Sequence, residues 1–439
     1  MRRLGTGLVI GAGFAGLGAA RVLSEHCERV VVLDRDDLTL GDAPRRCVPQ
    51  GRHVHLLLAS GFRSLCQLFP GFEAEAIESG AVRFQVGQGL QYWRRGRQKQ
   101  AFDADLWTLA VSRPRLEALV RRRLTTLPNV ELHGHHTVTG LRSLQGRVTG
   151  VEVEGHAGWD ADLVVDTGGR GSHARRWLAE LHFPTPSAST LDLELAYASR
   201  IVTLAPDARR SWQMLYAGPS AAHWTRGGAI LRVENGRALV TLAGYLRDHP
   251  PLDDAGYAQF AASIGPEFAS QLAGAELVTE PRRFDVPAMI WHHFERLARH
   301  PEGFLALGDA ICQLDPCFGQ GMTVALRQAT LLGAELRRGQ GLSRLARAFY
   351  RGASALVEVA WTPSAVENFR RPGMRGARPA GLTGIQWYSG HAMDLADRDP
   401  DAHRVLQQSL HMTVGPLRLL RPNLLARVLA QALRAGAGG

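Results

Sequence analysis

The stretch "GLVIGAGFAGLGAARVLSEHCERVVVLD", Gly7 to Asp34, decides the fold. It opens as a buried strand from Gly7 to Ile10, turns at glycines, runs helical to about Glu25, and returns as a second apolar strand from Arg29 to Asp34. Two parallel strands joined by a helix make a right-handed βαβ unit. Gly11, Gly13 and Gly16 spell G-x-G-x-x-G at the strand-to-helix turn, with Phe14 and Ala15 inside it, and Gly18 and Ala19 beyond them let helix and strand pack closely. Backbone amides at such a turn, with the helix dipole behind them, suit a pyrophosphate. Asp34 ends the second strand, at about the twenty-residue distance where a carboxylate accepts from ribose hydroxyls. A tight turn in some other α/β domain would explain the glycines and leave Asp34 without a use. The reading is therefore a dinucleotide-binding domain.

The 439 residues are 45% hydrophobic, enough for a large core shared between two connected domains. Lys99 is the only lysine, so the net charge of +10 is almost wholly arginine. Such charge governs solubility and steering more than fold. The segment "YWRRGRQKQ", Tyr92 to Gln100, mixes aromatic and basic residues as a nucleic-acid patch would, but reads better as a solvated hairpin tip, and no nucleic-acid partner is expected. The five cysteines, Cys27, Cys47, Cys66, Cys312 and Cys317, show no CxxC spacing. They indicate neither disulfide framework nor zinc site, and a reducing cytoplasm is the expected location. The first twenty residues imitate a signal peptide, but their glycines belong to the βαβ turn. His133, His135 and His136 lack a cysteine or carboxylate at ligand spacing, so they read as a surface turn and no metal is expected.

Further along, residues 41 to 62 begin irregular and basic and then turn helical, residues 80 to 110 look like strands, and Ser112 to Leu124 is a helix. A meander follows, ending on the buried strand Asp162 to Thr167. From Leu191 to Arg247 the period is two, and Asn235-Gly236 marks a hairpin in an antiparallel sheet. The run "GFLALGDA", Gly303 to Ala310, returns to a parallel strand, so the sheet interrupts the nucleotide-binding domain. Past Met322 the pattern is helical almost to the end. The last stretch, "LRLLRPNLLARVLAQALR", is basic and amphipathic, which suits packing on the rest of the fold and also a peripheral membrane contact; packing is the expectation.

"GDAICQLDPCFGQGM", Gly308 to Met322, separates a flavin site from a nicotinamide site. A nicotinamide enzyme needs one glycine turn, whereas a flavin needs later segments for its ribityl chain and ring. Asp309 at a strand's end can accept from ribityl hydroxyls, and the turn from Gly319 to Met322 lets amides and a helix N-terminus reach the pyrimidine edge, where reduced flavin is negative. With "GAGFAGLGAA", "VLDRD", "VPQGRHVHLLL" and "DLVVDTGGRGS", this segment gives the chain five ordered marks. Together they resemble the FAD-dependent monooxygenases of the para-hydroxybenzoate hydroxylase superfamily, particularly the branch of bacterial polyketide epoxidases and squalene-epoxidase-like hydroxylases. Weaker likeness extends to about residue 365.

The resemblance implies an α/β protein: a Rossmann-like FAD-binding domain of glutathione-reductase type, interrupted by an antiparallel β-sheet substrate domain, with a C-terminal helical region. The expected boundaries are 1–85, 105–180 and 295–345 for the FAD domain, 86–104 and 181–294 for the sheet domain, and 346–439 for the helical region. Carried over, Gly11, Gly13, Phe14, Ala15 and Gly16 would hold the pyrophosphate and Asp34 the ribose, with Arg35 beside it. Arg113 would reach the FAD phosphate or ribityl region, Gly308 and Asp309 the ribityl chain, and Pro316, Gly319, Gly321 and Met322 the isoalloxazine. Asp166, Gly169, Arg170 and Gly171 match the motif that supports FAD and serves NADPH docking, while Arg46, Gln50 and His53 fall in the basic loop near the flavin. The chain departs from the family with Asp315 where "NP" has asparagine and Phe318 where tyrosine is usual. A second carboxylate near the ring would oppose reduced flavin unless Asp315 is paired or points away.

The implied cycle is reduction by NADPH or NADH, reaction with O2 at flavin C4a, and delivery of the distal oxygen of the hydroperoxide to substrate, with a separate flavin reductase as an alternative electron source. The flavin carries the hard step, so no catalytic triad is expected and the catalytic residue is unknown; Ser172 lacks the nucleophile elbow. A base would help phenol hydroxylation but not epoxidation. His292, His293 and Asp315 are candidates for that base, although a histidine pair before a helix also reads as structural. Trp212, Met214, Trp224, Trp291 and Phe318 are candidates for an apolar substrate pocket, against the commoner use of sheet aromatics as core. The W-x-W-x-I-P segment of flavin halogenases is absent, and "GAILRVEN" stands where geranylgeranyl reductases carry Y-x-W-x-F-P. The expected activity is epoxidation or hydroxylation of an apolar polyketide, terpenoid or aromatic intermediate in secondary metabolism, such as antibiotic biosynthesis. The alternatives are a flavin-dependent C=C reductase or oxidase, or a flavin- or nucleic-acid-binding protein without turnover.

Overall fold

The computed structural model describes residues 3–39, 41–207, 210–218 and 225–437. Leu4–Ile10 forms the central strand of a parallel sheet because its apolar residues can be covered on both faces; Leu8 and Val9 have no exposure. The sheet runs Phe304–Ala306, Leu163–Asp166, Leu4–Ile10, Cys27–Leu33, Val130–His133, all parallel. Ile10 lies opposite Leu33 on one side and Asp166 on the other, and Asp166 opposite Ala306. The glycine turn, Asp34, Asp166 and the Gly308–Ala310 turn therefore all emerge at one carboxyl edge, beside the switch point where an α/β sheet binds its ligand.

Two helices are pressed against this edge by small residues. Helix Phe14–His26 lies on helix Gly321–Arg338, and a Cβ on Gly18 would stand 3.1 Å from the Ala329 Cβ. At the turn itself, a Cβ on Gly16 would meet the Gly11 carbonyl oxygen at 1.8 Å, so only glycine allows the helix to start there. Gly11 has φ of 96° and donates its amide to the Leu33 carbonyl at 2.7 Å, locking the turn to the second strand.

The second sheet has nine strands, with Ala188–Thr203 and Arg282–His292 as its longest pair. Asn235 and Gly236 take φ of 63° and 69°, as the hairpin between Arg226–Arg232 and Ala238–Gly244 requires. Leu90–Arg94 joins this sheet beside Met214–Ala217, and Cys312–Gln313 pairs with the far end of Arg282–His292. The fold is thus α/β, a Rossmann-like domain interrupted by a largely antiparallel sheet and completed by a helical C-terminal region.

One expectation fails at the hairpin. Its tip, Arg95 to Gln98, is exposed, but its flanks are not solvated: Lys99 is 4% exposed and donates to the Met393 carbonyl at 2.9 Å and to the Asp397 carboxylate, while Arg94 pairs with Asp394 at 2.9 Å. The basic residues anchor the C-terminal region. Helix Leu342–Asn368 runs through the boundary expected at residue 345, and Leu382–Leu395, Pro400–Leu410 and Pro422–Ala437 pack together through Ala392, Leu395, Val405, Leu424 and Val428. This bundle roofs the edge of the parallel sheet. Gln100 accepts from His403 Nδ1 at 2.8 Å through its carbonyl, the Ala59 amide donates to His411 Nδ1 at 3.1 Å, and Gln320 Nε2 donates to the Leu410 carbonyl at 3.3 Å.

The roof's histidines make its docking acid-sensitive. Burial pushes His403 down to about 4 and His411 down to about 3, and only an unprotonated Nδ1 can accept from Ala59. An unfolded histidine titrates near 6.5. Between those values the unfolded chain binds protons that the fold refuses, so stability is full above about pH 6.5 and lost as pH falls toward 4. Thermal unfolding at steps from neutral to pH 4.5 should show a falling midpoint, with each histidine costing on the order of 1 to 2 kcal/mol. Replacing both histidines with glutamine should make the fall shallower.

Candidate functional site

A cavity of 1480 Å³ opens along the carboxyl edge and continues beneath the roof. At its inner end Gly11, Gly13, Phe14 and Ala15 line the wall, and a Cβ on Gly13 would meet nothing within 4 Å, so its backbone faces open space. Gly16 does not line the cavity; its place is fixed by the helix contact described above. Asp34 stands at the rim, where Oδ2 accepts from the Ala12 amide at 2.6 Å and from Arg45 Nη1 at 3.1 Å, and Oδ1 accepts from the Asp36 amide at 2.8 Å. A carboxylate has about four acceptor positions. One therefore remains for a ligand hydroxyl. Arg35 also lines this end.

Arg113 reaches the cavity from the start of its helix, held by Glu117 Oε1 at 2.9 Å and by His55 Nε2 at 3.1 Å. Burial, with help from Arg113, keeps His55 well below the ordinary histidine range, so it accepts there as a neutral ring. Asp166 is fully buried in its backbone turn, accepting from Ser172 Oγ and from the Gly168 amide at 2.8 Å; this shapes the loop that carries Gly169, Arg170 and Gly171 along the wall. Asp309 differs. Its carboxylate lines the cavity and accepts no hydrogen bond from the described residues, and burial raises it while Arg170 and Arg113 pull it back. A Cβ on Gly321, in the first turn of an 18-residue helix, would stand 3.7 Å from Asp309 Oδ1. Free acceptor and free helix N-terminus thus face one volume, with Pro316, Gly319 and Met322 beside them.

The outer part is aromatic and apolar. Leu58, Met214, Tyr197, Tyr216, Tyr245 and Phe318 are among its walls. Tyr197 donates its hydroxyl to Cys317 Sγ at 3.1 Å and Tyr245 to Asp315 Oδ2 at 2.9 Å. Burial holds both tyrosines well above the ordinary phenol range and pushes the Cys317 thiol up to about 12, so these groups stay protonated at neutral pH.

Asp315 has no exposure and does not line the cavity. Besides Tyr245 it accepts from Asn368 Nδ2 at 2.8 Å and, through Oδ1, from the Cys317 amide at 3.0 Å, capping the Pro316–Phe318 turn. It is paired and turned away from the cavity, which removes both the electrostatic objection and its candidacy as a base. His292 and His293 are also displaced: His293 is 3% exposed between Ser189 Oγ at 2.8 Å and Glu295 Oε1 at 2.7 Å, and burial lowers His292 to about 4. Neither lines the cavity, because their strand end is spent pairing with Cys312–Gln313.

Among the pocket candidates, Met214 and Phe318 line the cavity. Trp212 is core against Tyr257 and Phe260, Trp291 packs on His293 and Trp361, and Trp224 lies outside the described residues. In the basic loop Gln50 lines the wall, but Arg46 is exposed, and His53 is buried on Ser199 Oγ at 2.6 Å between Tyr197 and Phe284. Gly308 is needed for its φ of 71° and its approach to Ala15, where a Cβ would stand 2.8 Å away; it does not line the wall. The sequence singles out neither Arg45, which bridges Asp34 and Glu117, nor the tyrosines of the sheet, and it places His136 in a surface turn. His136 lines the cavity with its Nδ1 on the Gly134 carbonyl at 2.6 Å, so its turn is not merely surface. No cluster of three metal-ligating residues occurs among the described residues.

The open glycine turn, the Asp34 rim, the unsatisfied Asp309 and the helix at Gly321 fit the donor and acceptor groups of FAD. The family described as FAD binding domain matches residues 6–347. Protein Rv3254 of Mycobacterium tuberculosis (strain ATCC 25618 / H37Rv) is 31% identical over 416 residues, covering 90% of this chain and 86% of that protein. Squalene epoxidase 3 of Arabidopsis thaliana is 26% identical over 363 residues, covering 78% of this chain and 63% of its own length. Among solved structures, the flavin-dependent brominase Bmp2 superposes with a TM-score of 0.70 at 12% identity over 100% of both chains, a likeness of fold alone.

Two substitutions separate cofactor binding from scaffold. Asp309→Ala should weaken FAD binding about tenfold or more, as loss of a charge-assisted hydrogen bond does. Flavin absorbance per protein after dialysis reads this, and an unchanged ratio would remove Asp309 from the cradle. Asp315→Leu removes the acceptor of the Tyr245 hydroxyl, the Cys317 amide and one Asn368 N–H, and should cost about 3 kcal/mol or more in denaturant unfolding, with Asp315→Asn less damaging.

Proposed function

The chain belongs to the FAD-binding-domain family, and we propose that it is a flavin-dependent monooxygenase that transfers one oxygen atom of O2 to an apolar natural-product intermediate, a polyketide, terpenoid or aromatic, at the expense of NADPH or NADH. The supporting observation is the continuity of the cavity from the glycine turn through Asp309 to the aromatic chamber under the roof. Bound FAD supplies the oxygen-transfer chemistry. Gly13, Asp34 and Asp309 would hold its polar chain, and the helix N-terminus at Gly321 would face the pyrimidine edge of its ring. Leu58, Met214, Tyr216 and Phe318 would orient the substrate and exclude water.

Epoxidation is the form we favour. Alkene oxygenation needs only close apposition; His292, His293 and Asp315, the expected bases for a phenol, lie off the cavity wall, and of the histidines on it His55 and His136 are bonded to Arg113 and to the Gly134 carbonyl. The likeness to squalene epoxidase 3 over 78% of this chain supports the same reading. The five unpaired cysteines suit a reducing cytoplasm, and among the described residues no helix is long and apolar enough to cross a membrane.

The balance to be met is O2, NAD(P)H, a proton and substrate giving oxygenated substrate, water and NAD(P)+. With isotopically labelled O2, the product should carry one labelled oxygen, and nicotinamide consumption should stop without O2. Anaerobic conversion of an alkene would instead establish a reductase, and a halide requirement would establish a halogenase.

A further inference from the structure

The cavity does not end among buried residues. Ile385, Trp387, Leu417 and Leu420 belong to its wall and are also 39%, 49%, 79% and 52% exposed, so the same side chains form the cavity rim and the molecular surface. On the last helix, Leu424 and Val428 face inward while Leu429 and Leu433 are 44% and 76% exposed. Six of the eleven large apolar residues exposed among the described residues fall between Ile385 and Leu433, which makes this a concentrated face rather than scattered surface leucines.

Charge says what covers it. From Ala402 to Gly439 the chain has five arginines and no aspartate or glutamate. Arg404, Arg421 and Arg427 turn back to Asp399 and Asp401. Arg418 and Arg434 are exposed, beside Leu417 and Leu433, without an ion pair among the described residues. A symmetric contact between two copies would set these arginines against like charge, because the four aspartates of the face, Asp394, Asp397, Asp399 and Asp401, are already paired with basic residues of their own chain. An anionic bilayer meets both needs, since leucines enter the acyl boundary and arginines stay with headgroup phosphates.

We propose that this face lies on anionic lipid without crossing it, placing the rim of Ile385, Trp387, Leu417 and Leu420 in the bilayer interface so that an apolar substrate passes from lipid into the chamber. The substrate clause rests on the oxygenation reading above; lipid binding itself does not.

FAD-loaded full-length protein is to be sedimented with phosphatidylcholine vesicles, with and without phosphatidylglycerol. It should pellet with the anionic vesicles, less so as salt rises, and only weakly with neutral ones. Leu417→Glu with Leu433→Glu, and separately Arg418→Glu with Arg434→Glu, should each weaken binding about tenfold or more. Circular dichroism and bound flavin should match the parent, as all four side chains are exposed. Equal pelleting with and without anionic lipid, unchanged binding by both variants, or a stable dimer abolished by Leu417→Glu would each overturn the proposal. Vesicle binding without O2-dependent nicotinamide consumption would instead defeat the oxygenation reading and leave this one standing.

Discussion

Everything at the carboxyl edge depends on one backbone contact, the approach of Gly16 to the Gly11 carbonyl, which leaves no space for even a methyl group. It sets where helix Phe14–His26 begins, and so where its first amides point. The same helix receives Gly321–Arg338 through Gly18 and Ala329, so a second helix N-terminus is delivered to the same crevice. Two positive dipole ends converge because small residues permit close packing on consecutive turns. Asp309 then has a fixed place, since Gly308 can neither give up its positive φ nor retreat from Ala15.

The buried acid beside this crevice shows how position overrides composition. Asp315 sits one residue from a loop that would face the pyrimidine edge of bound FAD, where another negative charge would oppose reduction. Its two oxygens are directed at Cys317, Tyr245 and Asn368, and Asn368 in turn accepts from Arg371 Nη1 at 2.7 Å. The carboxylate therefore joins the glycine loop to the end of the long C-terminal helix and spends its charge on donors behind the wall. The hydroxyl protons of Tyr245 and Tyr197 are likewise committed to partners within the loop.

What was legible in the sequence was what depends on backbone and period. The βαβ unit, the Asn235-Gly236 hairpin, the return to a parallel strand at Phe304 and the helical ending all follow from glycine placement and repeat. What was not legible depends on the direction of single side chains. Arg45 and Arg46 are identical in kind, yet one residue of irregular loop buries the first on Asp34 and exposes the second. His53 and His55 both lie in an extended segment, yet the first points into the sheet and the second toward Arg113. Of the expected pocket residues Met214 and Phe318 do line the chamber, while Trp212 and Trp291 are packed elsewhere and the tyrosines on inward positions of the sheet carry no mark that sets them apart. Lys99 looked solvated because its partner, Asp397, arrives from nearly three hundred residues away.

The roof has one more consequence. The family match ends at residue 347, yet residues from Ala355 to Leu420 form part of the cavity wall. Cradle and roof thus come from different parts of the chain, joined by a common core that includes Phe349, Val357, Trp361 and Ala365, while the outermost helices keep a small core of their own. Exchanges at the rim beyond that core, at Trp387 or Leu417, would change which molecules fit the opening while leaving the glycine turn and Asp309 in place.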